Sequence, residues 1–306
     1  MGINRRKLLK FIGLTGGGAL LSASRKARAV ENFTGWPDRY GVLTDTTLCV
    51  GCRSCEEACN AVNNLPEPEI PFDDQDIFKQ KRRPEANAYT VVNSHPNPNN
   101  PDEPIFAKIQ CMHCNEPACA SACLVAALTK TPEGAVIYNE DVCIGCRYCL
   151  TACPFYMPAY DYSSAFSPKV TKCIMCYENI AKGEVPACVE NCPAEANIFG
   201  KRSELIKIAR NRIRENPDLY VDHIYGETEA GGTSWLYLAS VPFEKLDFQT
   251  NVGTKPYAEY TRGFLSMVPA VLVIWPALLG GFYAFTKRKE EIAEIQNATP
   301  KGEEEE

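Results

Sequence analysis

Sixteen cysteines in four groups of four constrain this chain more than any other feature. The groups are Cys49, Cys52, Cys55, Cys59; Cys111, Cys114, Cys119, Cys123; Cys143, Cys146, Cys149, Cys153; and Cys173, Cys176, Cys188, Cys192. Pro154 follows the third group and Pro193 the fourth, and no cysteine is left over. At 306 residues the chain has room for one large or two small domains, but thiols take up much of the interior that a hydrophobic core would fill.

Charge narrows the function. Residues 1–29 carry seven basic side chains (Arg5, Arg6, Lys7, Lys10, Arg25, Lys26, Arg28) and no acidic ones, so the net charge of −6 becomes −13 once those seven are set aside. So acidic a body repels phosphate backbones, which argues against nucleic-acid binding. Three histidines leave little for acid–base catalysis.

Both termini speak about location. A basic start, an apolar glycine-rich stretch from Phe11 to Ser24 and Ala27-Arg28-Ala29 have the three parts of an export signal over residues 1–29. Arg5-Arg6 followed by Leu8-Leu9-Lys10 resembles a twin-arginine signal. The competing reading, a membrane anchor, needs ~20 apolar residues and this stretch is shorter. Residues 264–285 lack any charge and are long enough to cross a bilayer, whereas the bland alternative is a buried helix of a soluble protein. Pro269 and Pro276 are tolerated better in a span than in a soluble helix. Lys287, Arg288 and Lys289 follow at once and hold the tail, 286–306, in the cytoplasm, which leaves 30–263 outside. The segment 251–263 reads as a linker.

Three ligands compete for the thiols. An oxidising compartment favours disulfides, but partners in disulfides seldom form such tight triplets. Zinc suits paired C-x2-C units, and the groups at Cys111 and Cys173 taken alone could be zinc ribbons. Four complete groups, the third reading C-x2-C-x2-C-x3-C-P as in bacterial ferredoxins, favour 4Fe–4S clusters, with the clusters serving as core. A twin-arginine route exports folded proteins, so loading precedes exposure to oxidant.

In ferredoxins with two clusters, the fourth cysteine of a run serves the other cluster, so the runs must pair. Spacing does not choose the partners. Leu124–Lys130 reads as a short helix and Gly134–Tyr138 as a strand leading into Cys143, which joins groups two and three and leaves groups one and four to close around them. The predicted ligand sets are Cys49, Cys52, Cys55 with Cys192; Cys173, Cys176, Cys188 with Cys59; Cys111, Cys114, Cys119 with Cys153; and Cys143, Cys146, Cys149 with Cys123. The expected fold class is α+β: two nested ferredoxin-like lobes with insertions inside a cluster domain of 30–250, plus one C-terminal transmembrane helix. One lobe draws on 40–60 and 170–200, the other on 105–160. Asn60–Gln110, rich in proline and asparagine, reads as an irregular insertion that contacts partners. Ser203–Glu215 has helical spacing with Leu205, Ile208 and Ile213 on one side. His113 either donates to a cluster sulfide or only fills space.

The four groups in this order resemble the iron–sulfur subunits of the dimethyl sulfoxide reductase and nitrate reductase families over roughly residues 40–200. A closer likeness is to the HybA-type subunit of membrane-bound nickel–iron hydrogenase, carried by Cys143-Ile144-Gly145-Cys146-Arg147-Tyr148-Cys149, Tyr225-Gly226-Glu227, Gly231-Gly232-Thr233 and Val241-Pro242. Groups one and two end in Cys59-Asn60 and Cys123-Leu124 rather than C-P, and Cys146 is present where nitrate-reductase-like subunits lose a thiol. The resemblance implies a non-catalytic wire of four 4Fe–4S clusters at the bacterial inner membrane. Its cluster domain would lie in the periplasm, between a periplasmic oxidoreductase, first a hydrogenase, and an NrfD-like integral membrane subunit that handles menaquinone. The same wire could serve a molybdopterin oxidoreductase or a cytochrome-fed quinone reductase, and a zinc-stabilised scaffold is the reading from another class. The resemblance further implies that the lobe of Cys49 and Cys173 faces the catalytic partner and the lobe of Cys111 and Cys143 the quinone.

Overall fold

A computed structural model describes residues 39–163 and 169–298. Strand β1 (Tyr40–Asp45) leads directly to the first cysteine group, and helix α1 (Ser54–Val62) carries Cys55 and Cys59. A hairpin of β2 (Thr90–His95) and β3 (Ile105–Gln110) follows, paired antiparallel from Thr90–Gln110 to His95–Ile105. The second group supplies α2 (Ala118–Ser121), then β4 (Leu128–Lys130) and β5 (Val136–Tyr138), which pair antiparallel and lead to the third group with α3 (Tyr148–Ala152). Strands β6 (Ala159–Asp161) and β7 (Lys169–Thr171) form a short antiparallel pair before the fourth group, whose helices are α4 (Tyr177–Ala181) and α5 (Ala187–Glu190). The chain ends in β8 (Asn197–Lys201), α6 (Arg202–Glu215), β9 (Trp235–Leu238) and the long α7 (Tyr257–Ala298).

One small sheet joins the two ends of the cluster region. β1 is its middle strand, antiparallel to β8 and parallel to β9. Strand alternation divides the interior between its faces. Leu43, Leu236 and Leu238 turn toward Leu205 and Ala209 of α6, while Val42, Trp235 and Tyr237 turn toward a larger core containing Cys55, Cys111, Cys153, Cys173 and Cys188. Gly41 permits the close β1–β9 approach, since a Cβ there would lie 2.4 Å from the Ser234 carbonyl oxygen. Outside the sheet, α1 packs against α5 and α2 against α3.

Several expectations need correction. Leu124–Lys130 is not a helix: it forms a turn and then β4, because Ala126 takes φ 53° and the Ala127 amide is donated to the Cys123 sulfur. The segment Asn60–Gln110 is only partly irregular. Its second half is the β2–β3 hairpin, with Val91, Val92, Ile105 and Ala107 buried, so it belongs to the core. Helix α6 has the expected extent, but Ala209 rather than the partly exposed Ile208 joins Leu205 in the core.

Helix α7 begins at Tyr257, inside the segment read as a linker, and runs through the basic cluster to Ala298. Pro256 precedes it, and a proline suits a helix start because the first amides have no helical acceptor. Residues Tyr257–Ile295 make one helix long and apolar enough to cross a membrane, with none of its apolar window buried in the protein. At 1.5 Å per residue, 42 residues span about 63 Å against a hydrocarbon core of about 30 Å, so helix projects beyond any bilayer it crosses.

Candidate metal centres

The backbone repeats itself at the four cysteine groups. Two residues after each group's first cysteine, Gly51, His113, Gly145 and Met175 take φ of 71°, 48°, 67° and 58°. Three residues after the last cysteine of groups two, three and four, Ala126, Tyr156 and Glu195 take φ of 53°, 54° and 48°. Left-handed turns of this kind aim successive amides into one concavity, an arrangement that binds anions. Amides of Gly145, Met175, Ala127 and Met157 are donated to the sulfurs of Cys143, Cys173, Cys123 and Cys153 at 3.4, 3.3, 3.1 and 3.5 Å. Such bonds favour thiolates, and holding non-glycine residues left-handed costs roughly 1–2 kcal/mol each.

The turns bring distant thiols together. Cys49 feels the charges of Cys192 and Cys52, and Cys55 that of Cys49. Cys59 neighbours Cys173, Cys188 and Cys176; Cys114 neighbours Cys153, Cys119 and Cys111; Cys149 neighbours Cys146, Cys123 and Cys143. Three further proximities link these sets into a line: Cys55 with Cys188, Cys173 with Cys111, and Cys119 with Cys149; Cys55 feels Cys188 ahead of Cys49, and Cys173 feels Cys111 ahead of Cys176. Only Cys52 and Cys146 are exposed, one in the first quartet of the line and one in the last. Arg5 and Arg6 lie outside the described residues.

All sixteen thiols are free. Burial first, and the neighbouring sulfurs after it, push Cys119 up to about 12 and Cys149 up to about 11. Burial also pushes Cys173 up to about 12, with the neighbouring sulfurs adding to it and Lys108 opposing it. Crowded buried thiols of this kind ionise only when a metal supplies positive charge. Among the described residues no three His, Cys, Asp or Glu side chains converge tightly enough for a single ion. Cys59, Cys173, Cys176 and Cys188 instead border one small enclosed space, shared with Lys108, Met175 and Trp235. An all-sulfur donor set around a space rather than a point fits a polynuclear iron–sulfur group better than zinc.

His113 supplies an independent sign. Its ring is buried, and Nδ1 accepts the Val136 amide at 2.9 Å, so the neutral ring carries its proton on Nε2. Nε2 has no protein partner. Burial, then Lys172, Lys130 and Lys108, hold the imidazole well below its ordinary pKa and therefore neutral. A buried donor with no acceptor is costly unless a further group accepts from it.

Sequence reasoning passed over three lysines beside the thiols, Lys108 and Lys172 buried and Lys130 half-buried. Lys130 Nζ donates to the carbonyls of His113 (2.8 Å) and Gly134 (2.5 Å) and to Ser234 Oγ (3.1 Å). Lys172 donates to the carbonyls of Val136 and Cys173, the latter at 3.0 Å. Lys108, the third, borders the cavity of Cys59 and Cys173. The signal for them is position: Lys108 and Lys130 sit in strands β3 and β4, and Lys172 directly precedes Cys173.

Comparison with known proteins agrees with this chemistry. Residues 103–202 match a 4Fe-4S dicluster domain. A protein of Nitratidesulfovibrio vulgaris is 51% identical over 97% of this chain and 80% of its own length. Hydrogenase-2 operon protein HybA of Escherichia coli O157:H7 is 39% identical over 80% of this chain and 83% of its own. The B subunit of anaerobic dimethyl sulfoxide reductase from Escherichia coli is 38% identical over 55% of this chain and 77% of its own. With its sulfur quartets, the dicluster match and a likeness that extends well past the cysteines, the chain belongs to the HybA-type family of iron–sulfur proteins.

Proposed function

We propose that this chain is the non-catalytic electron-transfer subunit of a membrane-bound oxidoreductase complex, holding four 4Fe–4S clusters in two nested ferredoxin-like lobes. The observation that carries the reading is the reach of Cys192, Cys59, Cys153 and Cys123 into quartets begun by another group. The ligand sets are then Cys49, Cys52, Cys55, Cys192; Cys173, Cys176, Cys188, Cys59; Cys111, Cys114, Cys119, Cys153; and Cys143, Cys146, Cys149, Cys123. When bound, such clusters supply one-electron carriers. The protein's own part is to hold them in line, bury the inner ones and leave the ends accessible at Cys52 and Cys146.

The wire joins a periplasmic oxidoreductase, first a nickel–iron hydrogenase, to an NrfD-like quinone-handling subunit in the inner membrane. Likeness to HybA supports the hydrogenase, and likeness to the dimethyl sulfoxide reductase B subunit favours a molybdopterin partner as the second reading. Helix α7 leaves the domain beside α2, which carries Cys119. That supports the lobe of Cys111 and Cys143 lying toward the membrane. The basic start with Arg5 and Arg6 supports export, and Lys287–Lys289 supports a cytoplasmic tail. Anaerobic purification of the full chain with its partners tests the proposal. About sixteen irons per chain, reducible paramagnetic signals and a co-purifying nickel–iron subunit are expected. A molybdopterin partner would redirect the reading to the second one, and zinc in place of iron would sink both.

A further inference from the structure

Lys108 differs from buried Lys172 and half-buried Lys130 in what satisfies its charge. Lys130 and Lys172 donate to several backbone oxygens and brace loops. Lys108, 2% exposed, donates to a single neutral oxygen, Gln110 Oε1 at 2.7 Å, and otherwise lies over the Trp235 ring at 4.2 Å. None of the ion pairs among the described residues includes it. A buried ammonium without a counter-charge is costly by several kcal/mol. The wall that Lys108 shares is the cavity bordered by Cys59, Cys173, Cys176 and Cys188.

Its position is fixed on every side. Gln110 Nε2 donates to the Tyr237 hydroxyl at 2.5 Å, and that hydroxyl donates to the Lys108 carbonyl at 3.0 Å, which turns Gln110 Oε1 toward the ammonium. Trp235 Nε1 donates to Thr44 Oγ1 at 2.9 Å, holding the ring beneath it. Strands β1, β3 and β9 thus cooperate to hold one cation still.

We infer that Lys108 is a positioning residue for electron transfer: a fixed buried cation, held by Gln110 and Trp235, that raises the reduction potential of the cluster bound by Cys59, Cys173, Cys176 and Cys188. A smaller effect falls on the neighbouring quartet through Cys55. The inference rests on the electron-transfer reading above. Reduction places one more electron beside the ammonium, which acts as a fixed charge and takes no part in proton transfer. A fixed cation stabilises the reduced form in proportion to the added negative charge, and burial strengthens the interaction. Lys108 thereby makes this quartet a favoured resting place for an electron between the exposed first quartet and the rest of the line.

The test is a potentiometric titration of the anaerobically purified full chain, followed by electron paramagnetic resonance, with iron content measured on the same samples. Wild type holding about sixteen irons and reducible signals establishes the underlying reading. Failure at that step sinks the electron-transfer function itself, before Lys108 is at issue. Given a loaded wild type, Lys108→Met should lower the reduced-to-oxidised ratio of one cluster at least about tenfold at fixed potential, a shift of about 59 mV for one electron. Lys108→Arg should restore most of it. Full iron with all four potentials unmoved in Lys108→Met would reduce Lys108 to a packing residue. Should Lys108→Met fail to load, Gln110→Glu decides, because it keeps the side-chain shape and sets a carboxylate against the ammonium. A lowered potential of the same cluster supports the inference, and an unmoved one, or a variant that loads only with unchanged potentials, overturns it.

Discussion

In the first cysteine group Gly51 and Arg53 take φ of 71° and 62° and α1 starts at Ser54; in the third, Gly145 and Arg147 take 67° and 61° and α3 starts at Tyr148. The backbones match, yet the surroundings do not. Arg53 is buried and donates to Glu56 and to the Pro71 carbonyl (2.6 Å), while Glu56 also accepts from Arg82 (2.6 Å) and the Val92 amide (2.6 Å). Leu150 stands where Glu56 would be, and Arg147 lies over the rings of Tyr160 and Tyr162 at 4.7 and 5.6 Å. Pro154 forces Cys153 into an extended conformation and ends α3 after five residues, whereas Asn60 lets α1 run for nine. A run of thiols therefore specifies its own turn, and distant segments decide whether that turn is insulated. The hairpin helps bury Arg53 and Glu56 in the first group, while Arg147 and Tyr148 are exposed in the third; Leu48 and Val50 are as open to solvent as their counterparts Val142 and Ile144.

The sharpest way to break this comparison is Glu56→Leu, which gives the first group the residue of the third. It strands Arg53 and Arg82 without a counter-charge and should cost about 3–5 kcal/mol, against about 0.5–1 kcal/mol for Arg147→Ala at the exposed stack. Anaerobic denaturation of the detergent-solubilised holoprotein measures both, and equal losses would mean the two arginines do the same work. Next comes Gly51→Ala against Gly145→Ala. Both pay about 1–2 kcal/mol for positive φ, but a Cβ at 51 would also lie 2.5 Å from the Phe106 ring, adding roughly 1–3 kcal/mol of overpacking. The iron lost during mild denaturation should be greater for Gly51→Ala.

The smallest effect is a pH dependence confined to the hairpin side. Burial, and after it the positive charge of Lys81, lowers His95 from 6.5 to about 4, with Asp247 opposing. Lys81 Nζ donates to His95 Nδ1 at 2.8 Å, so the ring is neutral. A histidine whose folded pKa lies below its unfolded one binds fewer protons when folded, so stability is whole above about pH 6.5 and falls as pH drops toward 4. Denaturation midpoints at pH 7 and pH 5 should separate for wild type and draw together in His95→Gln. An unchanged separation would show that the acid sensitivity arises elsewhere.

Much of the site is legible in the chain, because cysteine spacing is local information. The strand before Cys143 is one such case, and β5 does occupy Val136–Tyr138. The helix at Arg202–Glu215 shows in its periodicity for the same reason. What escapes depends on contacts far along the chain. Ala126 belongs to a good helix-forming stretch, but the Cys123 sulfur takes an amide there and the turn wins over propensity. Prolines and asparagines around residues 96–101 hide the strands on either side, although Thr90-Val91-Val92 is β-branched throughout. Lys108 looks like one more surface charge, and only the meeting of β3 with Trp235 puts it indoors.

The central place of β1 bears on the order of events during synthesis. Tyr40–Asp45 emerges from the ribosome long before its two strand partners among the described residues, 197–201 and 235–238. Domains ordinarily fold from the N-terminus as they are made, and this one must wait for its C-terminal half. Until then the thiols just after β1 have no closed pocket, so a prematurely ended or stalled chain is recognisably incomplete at its very first strand. Translation through β9 thus acts as a checkpoint written into sheet topology.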